Sequence, residues 1–393
     1  MGAQQPVEKV PFASLRSTSS LNVLKKVRLR SSVSRAPRIW NLFDQAENTV
    51  FNTPTSLDRN VLSGQFYAQE MSTSPIEIEF PVMRYDITMP LLEGRVAVDG
   101  VKLKPVKTSS MISKEDPKMK AGDFGLCDLN VGYFLPAIEA GWEMIGLPLF
   151  SKRKPVYQLI FCHADSGIRS PKDLEGKRIG TRTYRTALTV WARGLLKERH
   201  GVDLSKLRWV VQAQEHFPVY DQEAKIEYVE GKSNMVERLI GGEVDAIITD
   251  ISDAKLFETL EGHPKVKRLF PHYVEEDQRL HRETGIYTPV HLIVMSRKLD
   301  REYPDLAKKF YDVFEQAKSM AYDDTLGDRG GFSVVYLRER LKEQFEKWGD
   351  PWKYGIKANK ETIDALIRYN HEQGMIRSKP SYKDIFAAGT LDT

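Results

Sequence analysis

The sequence predicts a two-lobed α/β fold with a hinged cleft between the lobes. Apolar strand-like runs alternate with helical periods through residues 76–163, a pattern typical of a parallel α/β sheet. A second strand–helix set follows the stretch 173–193. The chain passes between the two sets near 165–176 and again near 284–289. A chain that leaves one lobe and returns to it creates a cleft, where small ligands bind.

We expect lobe 1 to comprise residues 77–176 and 285–393, and lobe 2 to comprise residues 177–284. Strands are predicted at 76–80, 101–106, 124–128, 142–150, 157–163, 177–181, 207–213, 225–229, 244–248 and 287–295. Helices are predicted at 133–140, from about Tyr184, and at 235–240, 307–321, 335–348 and 360–373.

The composition is that of an ordinary globular protein, with 41% hydrophobic and 28% charged residues in 393. Residues 1–70 hold nine basic and five acidic side chains, so they carry the whole net charge of +4, while 49 basic and 49 acidic residues cancel in the remainder. This balance gives no general argument for a nucleic-acid partner. No apolar run approaches the roughly 20 residues that a membrane span needs. Cys127 and Cys162 lie in predicted buried strands, which favours a reducing compartment.

Residues 1–70 are predicted to be a leader outside the fold. They are rich in Ser, Arg, Asn and Thr and contain one basic amphipathic run, Leu21–Arg30. A mitochondrial presequence, a disordered leader, or a start codon upstream of the true one at Met71 all fit this composition. The segment has no apolar core of the secretory type. We therefore expect a cytoplasmic protein, or a mitochondrial one if residues 1–70 act as a presequence.

The junction between the strand at 177–181 and the following helix is the first candidate site. A helix start presents free N–H groups and the positive end of the helix dipole, and Thr183 or Thr186 can serve as N-cap. The pattern predicts a site for a small carboxylated molecule, although an ordinary strand-to-helix junction with solvated arginines has the same spacing. The expected ligand contacts are Arg182, Tyr184, Arg185, Thr186 and Arg193, with Arg95 either contacting the ligand or holding the first turn.

Several runs between Glu77 and Leu391 carry a family resemblance. They are R-Y-D-I-T-M-P-L-L-E-G-R-V (84–96), H-A-D-S-G-I-R-S-P-K-D-L-E-G-K-R-I-G (163–180), V-W-A-R-G-L-L (190–196), G-E-V-D-A-I-I (242–248), R-L-F-P-H-Y (268–273), D-P-W-K-Y-G-I-K-A-N (350–359) and Y-N-H-E-Q-G (369–374). In order, these resemble the 4,5-dihydroxyphthalate decarboxylase family, with W-x-R-G and N-H-E-Q-G the most specific. The loop T-R-T-Y-R-T-A (181–187) departs from the family's V-P-E-Y-Q-M-T by two added arginines, which puts the substrate in doubt more than the fold.

The resemblance implies a type II periplasmic-binding-protein-like fold and non-oxidative decarboxylation of a hydroxylated aromatic dicarboxylate. Such chemistry needs no metal or organic cofactor, because the hydroxylated ring can hold the developing charge. Arg185 and Arg193 are the expected carboxylate clamp. Two alternatives stay open: a non-catalytic solute-binding protein of the same fold, or a different enzyme acting on an aromatic precursor. Relatives of this kind are often oligomeric, which allows a homo-oligomer.

The reaction needs a proton donor for the ring carbon and an acceptor for the phenol proton. The candidate donors are His371, with Glu372 as its orienting partner, and His291 on the returning strand. The alternative for His371 is a favourable contact with the helix dipole, and the alternative for His291 is a position in the core. The candidate acceptors are Asp128 and Asp250, which follow predicted strands and would otherwise cap the next helix.

Overall fold

The computed structural model describes residues 75–81, 84–106, 117–231, 234–249, 254–329 and 332–393. The predicted leader at 1–70 and the candidate acid Asp250 lie outside these residues.

The strands are β1 Ile76–Phe80, β2 Val101–Pro105, β3 Leu126–Asn130, β4 Met144–Gly146, β5 Lys152–Arg153, β6 Ile160–His163, β7 Arg178–Thr181, β8 Arg208–Val211, β9 Lys225–Tyr228, β10 Ala246–Ile248, β11 Val266–Arg268 and β12 Pro289–Ser296. The α-helices are α1 Met89–Leu92, α2 Pro117–Ala121, α3 Val131–Glu139, α4 Ala187–His200, α5 Met235–Ile240, α6 Ala254–Gly262, α7 Tyr273–Thr284, α8 Arg297–Glu302, α9 Leu306–Leu326, α10 Leu337–Trp348, α11 Lys360–Glu372 and α12 Tyr382–Ile385.

The strands form two larger sheets and one parallel pair, β1 with β2. The six-stranded sheet has the order β11-β6-β10-β7-β8-β9, in which β10, β7, β8 and β9 run parallel. In the smaller sheet β12 lies between β3 and the β4–β5 segment and runs antiparallel to all three. Among the described residues, the parallel pairing expected for 76–163 occurs only between β1 and β2, and the larger parallel part is formed by β7, β8, β9 and β10, which follow that region. The strand by which the chain returns enters the smaller sheet in the opposite direction.

One strand lies in a different sheet from the one predicted. Strand β6 was expected in lobe 1, but it pairs with β10, with Ala246 opposite Cys162, and so belongs to the six-stranded sheet. The first passage between sheets thus comes before residue 160 rather than at 165–176. An apolar run is buried equally well in either sheet, so its pattern does not identify its partner strand. The division into lobes that move about a hinge stays a prediction.

Helix α4 joins the two sheets. Its residues from Ala187 to Leu196 are all buried. The indole Nε1 of Trp191 donates to the carbonyl of Pro289 at 2.9 Å, which attaches α4 to β12. On another face, a Cβ added to Gly194 would lie 2.2 Å from the ring of Tyr369, so glycine lets α11 approach closely. Within the described residues, no helix combines the length and apolarity that crossing a membrane requires.

Candidate functional site

Three elements meet at the carboxyl end of β3. The Oδ1 atom of Asn130, the last residue of β3, accepts hydrogen bonds from the N–H groups of Gly132 and Ala187, both at 3.0 Å. One side chain therefore caps α3 and also holds the first residue of α4. A Cβ at Gly132 would lie 2.0 Å from the carbonyl oxygen of Arg185, so the backbones touch. The starts of α3 and α4 thus face one point, where both helix dipoles favour negative charge.

The predicted helix start is confirmed in the structure. Thr186 is the N-cap of α4, and its Oγ1 accepts from the N–H of Thr189 at 3.4 Å. Thr183, the other candidate, instead offers its backbone carbonyl to the hydroxyls of Thr181 and Thr189. Hydrogen bonds at both Thr183 and Thr186 therefore hold the loop before α4.

A buried acid–histidine pair lies beside this helix junction. On β12, His291 is opposite Asn130, and on β3, Asp128 is two residues before Asn130. The Nδ1 atom of His291 lies 3.2 Å from Oδ1 of Asp128 and 3.0 Å from the hydroxyl of Tyr85. Ser151 donates from Oγ to the same Oδ1 at 2.8 Å. The sequence-predicted residues Asp128 and His291 are therefore brought together, with exposed fractions of only 1% and 4%.

This arrangement leaves specific atoms for a ligand. Because Nδ1 of His291 is held by Tyr85 and Asp128, Nε2 is the ring nitrogen that remains to exchange a proton. The Oδ2 atom of Asp128 is buried and has no hydrogen-bond partner among the described residues. Leaving such an oxygen unsatisfied costs roughly 1–3 kcal/mol, so a donor such as a ligand hydroxyl would be stabilised there.

The two arginines of the predicted clamp are fully buried. Arg185 donates to the carbonyls of Phe217 and Pro218 at 2.8 and 2.7 Å and lies 3.4 Å from the Glu215 carboxylate. Arg193 donates to the carbonyl of Tyr184 at 2.7 Å, but its Nη2 has no partner among the described residues. Burial lowers the pKa of both guanidinium groups. Neither guanidinium group is exposed at the surface in this structure. The role of the two arginines as a carboxylate clamp stays a prediction.

The side chain of Tyr184 packs against Arg193 and Trp209. Its ring is stacked under the guanidinium of Arg193, 3.6 Å from ring centre to Cζ, and it meets Trp209 edge-on. Burial raises the pKa of its hydroxyl. Its aromatic ring is thus part of the packing around Arg193, and the ligand contact expected of Tyr184 stays a prediction.

The remaining predicted residues lie apart from these contacts. Arg182 is exposed, and Arg95 forms surface ion pairs with Glu93 and Asp324. His371 is half-buried in the last turn of α11. Glu372, its expected partner, forms an ion pair with Lys197 at 2.9 Å, and the His371–Glu372 pairing stays a prediction.

The sequence analysis missed four residues of this region: Tyr85, Asn130, Ser151 and Glu215. Asn130 carried a usable signal, because an asparagine between a buried strand and a helix is a typical N-cap. Tyr85 carried none, since it contacts His291 across 206 positions of sequence.

The cysteines and acidic side chains of the described residues do not form a metal site. Cys127 and Cys162 are buried free thiols, and burial raises the pKa of Cys162 to about 12. In the part of the chain that the structure describes, no three His, Cys, Asp or Glu side chains group to hold a metal ion.

Comparison with known proteins adds to this geometry. No family model matches the sequence. The chain is 26% identical over 338 residues to a 4,5-dihydroxyphthalate decarboxylase of Comamonas testosteroni, covering 81% of this chain and 99% of that protein. It is 27% identical over 209 residues to the enzyme of the same name from Pseudomonas putida, covering 50% of this chain and 77% of that protein. The resemblance seen in the sequence motifs is confirmed.

The fold prediction is confirmed as well. The structure is similar to a putative periplasmic sulfonate-binding protein, SsuA, from Methylobacillus flagellatus, with a TM-score of 0.50 at 11% sequence identity. The alignment covers 80% of this chain and 92% of that protein. At this identity the likeness shows the α/β periplasmic-binding-protein fold and nothing about the ligand.

Proposed function

We propose that this protein is a non-oxidative decarboxylase of a hydroxylated aromatic dicarboxylate, with 4,5-dihydroxyphthalate as the first substrate to test. The observation that carries the proposal is the buried Asp128–His291 pair, in which one carboxylate oxygen has no partner among the described residues and Asp128 lies two residues before the Asn130 bridge between α3 and α4. The names of the two similar proteins support the same chemistry.

Each member of the pair has a distinct task in the proposed reaction. His291, protonated on both nitrogens, donates a proton from Nε2 to the ring carbon that bears the leaving carboxylate. Asp128 accepts the proton of the ring hydroxyl on Oδ2. The bond between that ring carbon and the carboxylate then breaks, its electron pair returns to the ring, and carbon dioxide leaves. The product phenolate regains its proton from Asp128, and solvent reprotonates His291, so each turnover consumes one proton.

The surrounding side chains fix the pair for this task. Ser151 and Nδ1 of His291 both face Oδ1 of Asp128, which leaves Oδ2 directed to the substrate. Tyr85 holds the imidazole from the other side. Hydrogen-bonded neighbours of this kind set which ring nitrogen carries the mobile proton. The substrate carboxylates would be stabilised by the positive ends of α3 and α4, with Arg193 Nη2 as a further donor once the loop moves.

The test is turnover of 4,5-dihydroxyphthalate by the full chain, measured as carbon dioxide release and product formation. We expect His291→Gln to lower kcat by a factor of roughly 10²–10⁴, the usual contribution of a positioned acid. His371→Gln is the matched control, because this histidine is half-buried on α11 without the Asp128 contact; its kcat should stay within threefold. Equal loss in both variants, or full activity of His291→Gln, would refute the assignment. Tight binding without turnover would instead favour a solute-binding protein.

A further inference from the structure

Residues 213–221 form a segment, here called the strap, that runs from the six-stranded sheet to the end of α11. At one end the N–H of Ala213 donates to the carbonyl of Arg182 at 2.9 Å. At the other end the N–H of Tyr220 donates to the carbonyl of Gly374 at 2.7 Å. Gly374 has a φ of 65°, and a Cβ there would lie 2.2 Å from the backbone N of Asp221. Only glycine permits this contact.

Arg185 holds the middle of the strap. Its Nη2 donates to the carbonyls of Phe217 and Pro218, and its Nη1 donates to the carbonyl of Met375 at 3.3 Å. The strap also supplies a negative charge to this arginine, since the Glu215 carboxylate lies 3.4 Å from Nε of Arg185. One buried guanidinium thus connects the strap, Met375 three residues after α11, and the loop that precedes α4. Its donors point to backbone carbonyls, which fix chain positions rather than recognise a substrate.

Arg193 makes a second connection between the same elements. Its Nε donates to Oε1 of Gln373, and Nε2 of Gln373 donates to the carbonyl of Val190 at 3.0 Å. Its Nη1 holds the carbonyl of Tyr184. Arg193 and Gln373 belong to the W-A-R-G and N-H-E-Q-G runs, so these two distant motifs form one contact between α4 and α11.

The strap also reaches the candidate site through the backbone. Oε1 of Glu215 accepts from the N–H of Tyr184 at 2.6 Å. The carbonyl of Arg185 lies against Gly132 of α3, and two residues later the N–H of Ala187 is bound by Asn130. A shift of the strap would therefore move the start of α4 relative to β3, where Asp128 and the Asn130 bridge are located.

We propose that Arg185 and Arg193 are positioning residues, which hold the strap and the end of α11 onto the loop before α4 and so fix the start of that helix at the site. The expected effect on substrate affinity rests on the proposed function. The structural role of the two arginines, which hydrogen exchange measures, does not rest on it. Replacing Arg185 by glutamine shortens the side chain and removes the fork that reaches three carbonyls.

Hydrogen exchange on the full chain without ligand tests the structural part. In Arg185→Gln, amides of the strap and of the starts of α3 and α4 (131–134 and 186–190) should exchange at least tenfold faster, while α9 is unchanged. Arg182→Gln is the matched control, because this exposed arginine lies in the same loop. Faster exchange throughout, α9 included, would indicate general unfolding. In that case Glu215→Gln decides, because it keeps an acceptor for Tyr184 and removes only the charge facing Arg185.

Three results would overturn the inference. The first is strap exchange within twofold of wild type in either variant. The second is a faster strap with unchanged protection at 131–134 and 186–190, which would make the strap independent of the site. The third is a failure of the expected effect on affinity. Once wild-type turnover is established, Arg185→Gln is expected to raise KM for 4,5-dihydroxyphthalate about tenfold and to leave the pH profile of kcat unchanged. A changed pH profile with unchanged KM would mean that Arg185 acts on the reacting groups. Absence of wild-type turnover would refute the proposed function, while the exchange result would still decide the positioning role.

Discussion

Replacing Gly132 by alanine is expected to separate α3 from the start of α4. The added Cβ would lie 2.0 Å from the carbonyl oxygen of Arg185, 2.7 Å from the N of Ala187 and 2.9 Å from the carbonyl carbon of Thr186. All three are backbone atoms, so no side chain can rotate to make room. An ordinary carbon–oxygen contact is more than 1 Å longer, and the two helices must therefore move apart.

The magnitude follows from three contributions. Overpacking of a tight contact costs about 1–3 kcal/mol. Loss of the bond between Asn130 and Ala187, now 3.0 Å long, adds about 1 kcal/mol. The better helix propensity of alanine returns about 1 kcal/mol. The net destabilisation is about 1–3 kcal/mol, which corresponds to a fall in Tm of roughly 1.5–4 °C for a chain of this size.

The measurement is thermal unfolding followed by circular dichroism, with kcat for the proposed substrate measured in parallel. Gly262→Ala is the matched control, because a Cβ at that helical position meets nothing within 4 Å; its Tm should equal or slightly exceed that of wild type. Since about 1 Å of misplacement at a site can cost 10²-fold in rate, Gly132→Ala should also lose most activity at 25 °C. A Tm within 1 °C of wild type would show that α3 and α4 are not in backbone contact.

Two further predictions concern buried charged groups. Burial raises the pKa of Asp277 to about 7, whereas the unfolded chain releases this proton near pH 4. The free energy of unfolding therefore falls as the pH rises from about 4 to 7, because over that range the unfolded chain loses the proton more readily than the folded protein. Asp277→Asn should flatten that decline in urea titrations at pH 5 and pH 8 and gain most stability over wild type at pH 8; an unchanged slope would contradict it. Arg153→Lys should cost about 2–4 kcal/mol, because one ammonium cannot keep the guanidinium's bonds to the carbonyls of Tyr287 and Lys353 and to Asn359 Oδ1. Exposed Arg169→Lys should stay within about 0.5 kcal/mol in the same urea assay.

Local sequence patterns predicted most elements near their observed places. Helix α5 occurs at Met235–Ile240 as expected, because Asn234 caps it and two glycines follow it. The region 254–284 was left without elements, although it contains α6, β11 and α7. In α7 only Asp277 and Leu280 are buried, so its sequence carries little apolar period. The sequence of that helix is rich in charged residues, so a search for repeated apolar positions does not identify it.

The candidate site was partly accessible from the sequence. Asp128 was found because it follows a buried run, and His291 because it lies on the returning strand. Their contact depends on the register of β12 against β3, which strand patterns do not specify between sequence-distant segments. The same holds for Ser151, which reaches Asp128 from the irregular segment between β4 and β5.

The charge pattern that singles out Arg185 and Arg193 does not reveal that both side chains are fully buried. Arg185 lies 3.4 Å from the buried carboxylate of Glu215. The remaining compensation of the two arginines comes from carbonyl oxygens and from Gln373, which have no net charge. Burying a guanidinium on such partners is costly, and its lowered pKa reflects that cost. We infer that this cost is tolerated because the two guanidinium groups hold three chain segments together: the strap, the end of α11 and the loop before α4. In the proposed reaction, the starts of α3 and α4 would meet the negative charge of the substrate, and the exchange experiment on Arg185→Gln measures whether Arg185 fixes their position.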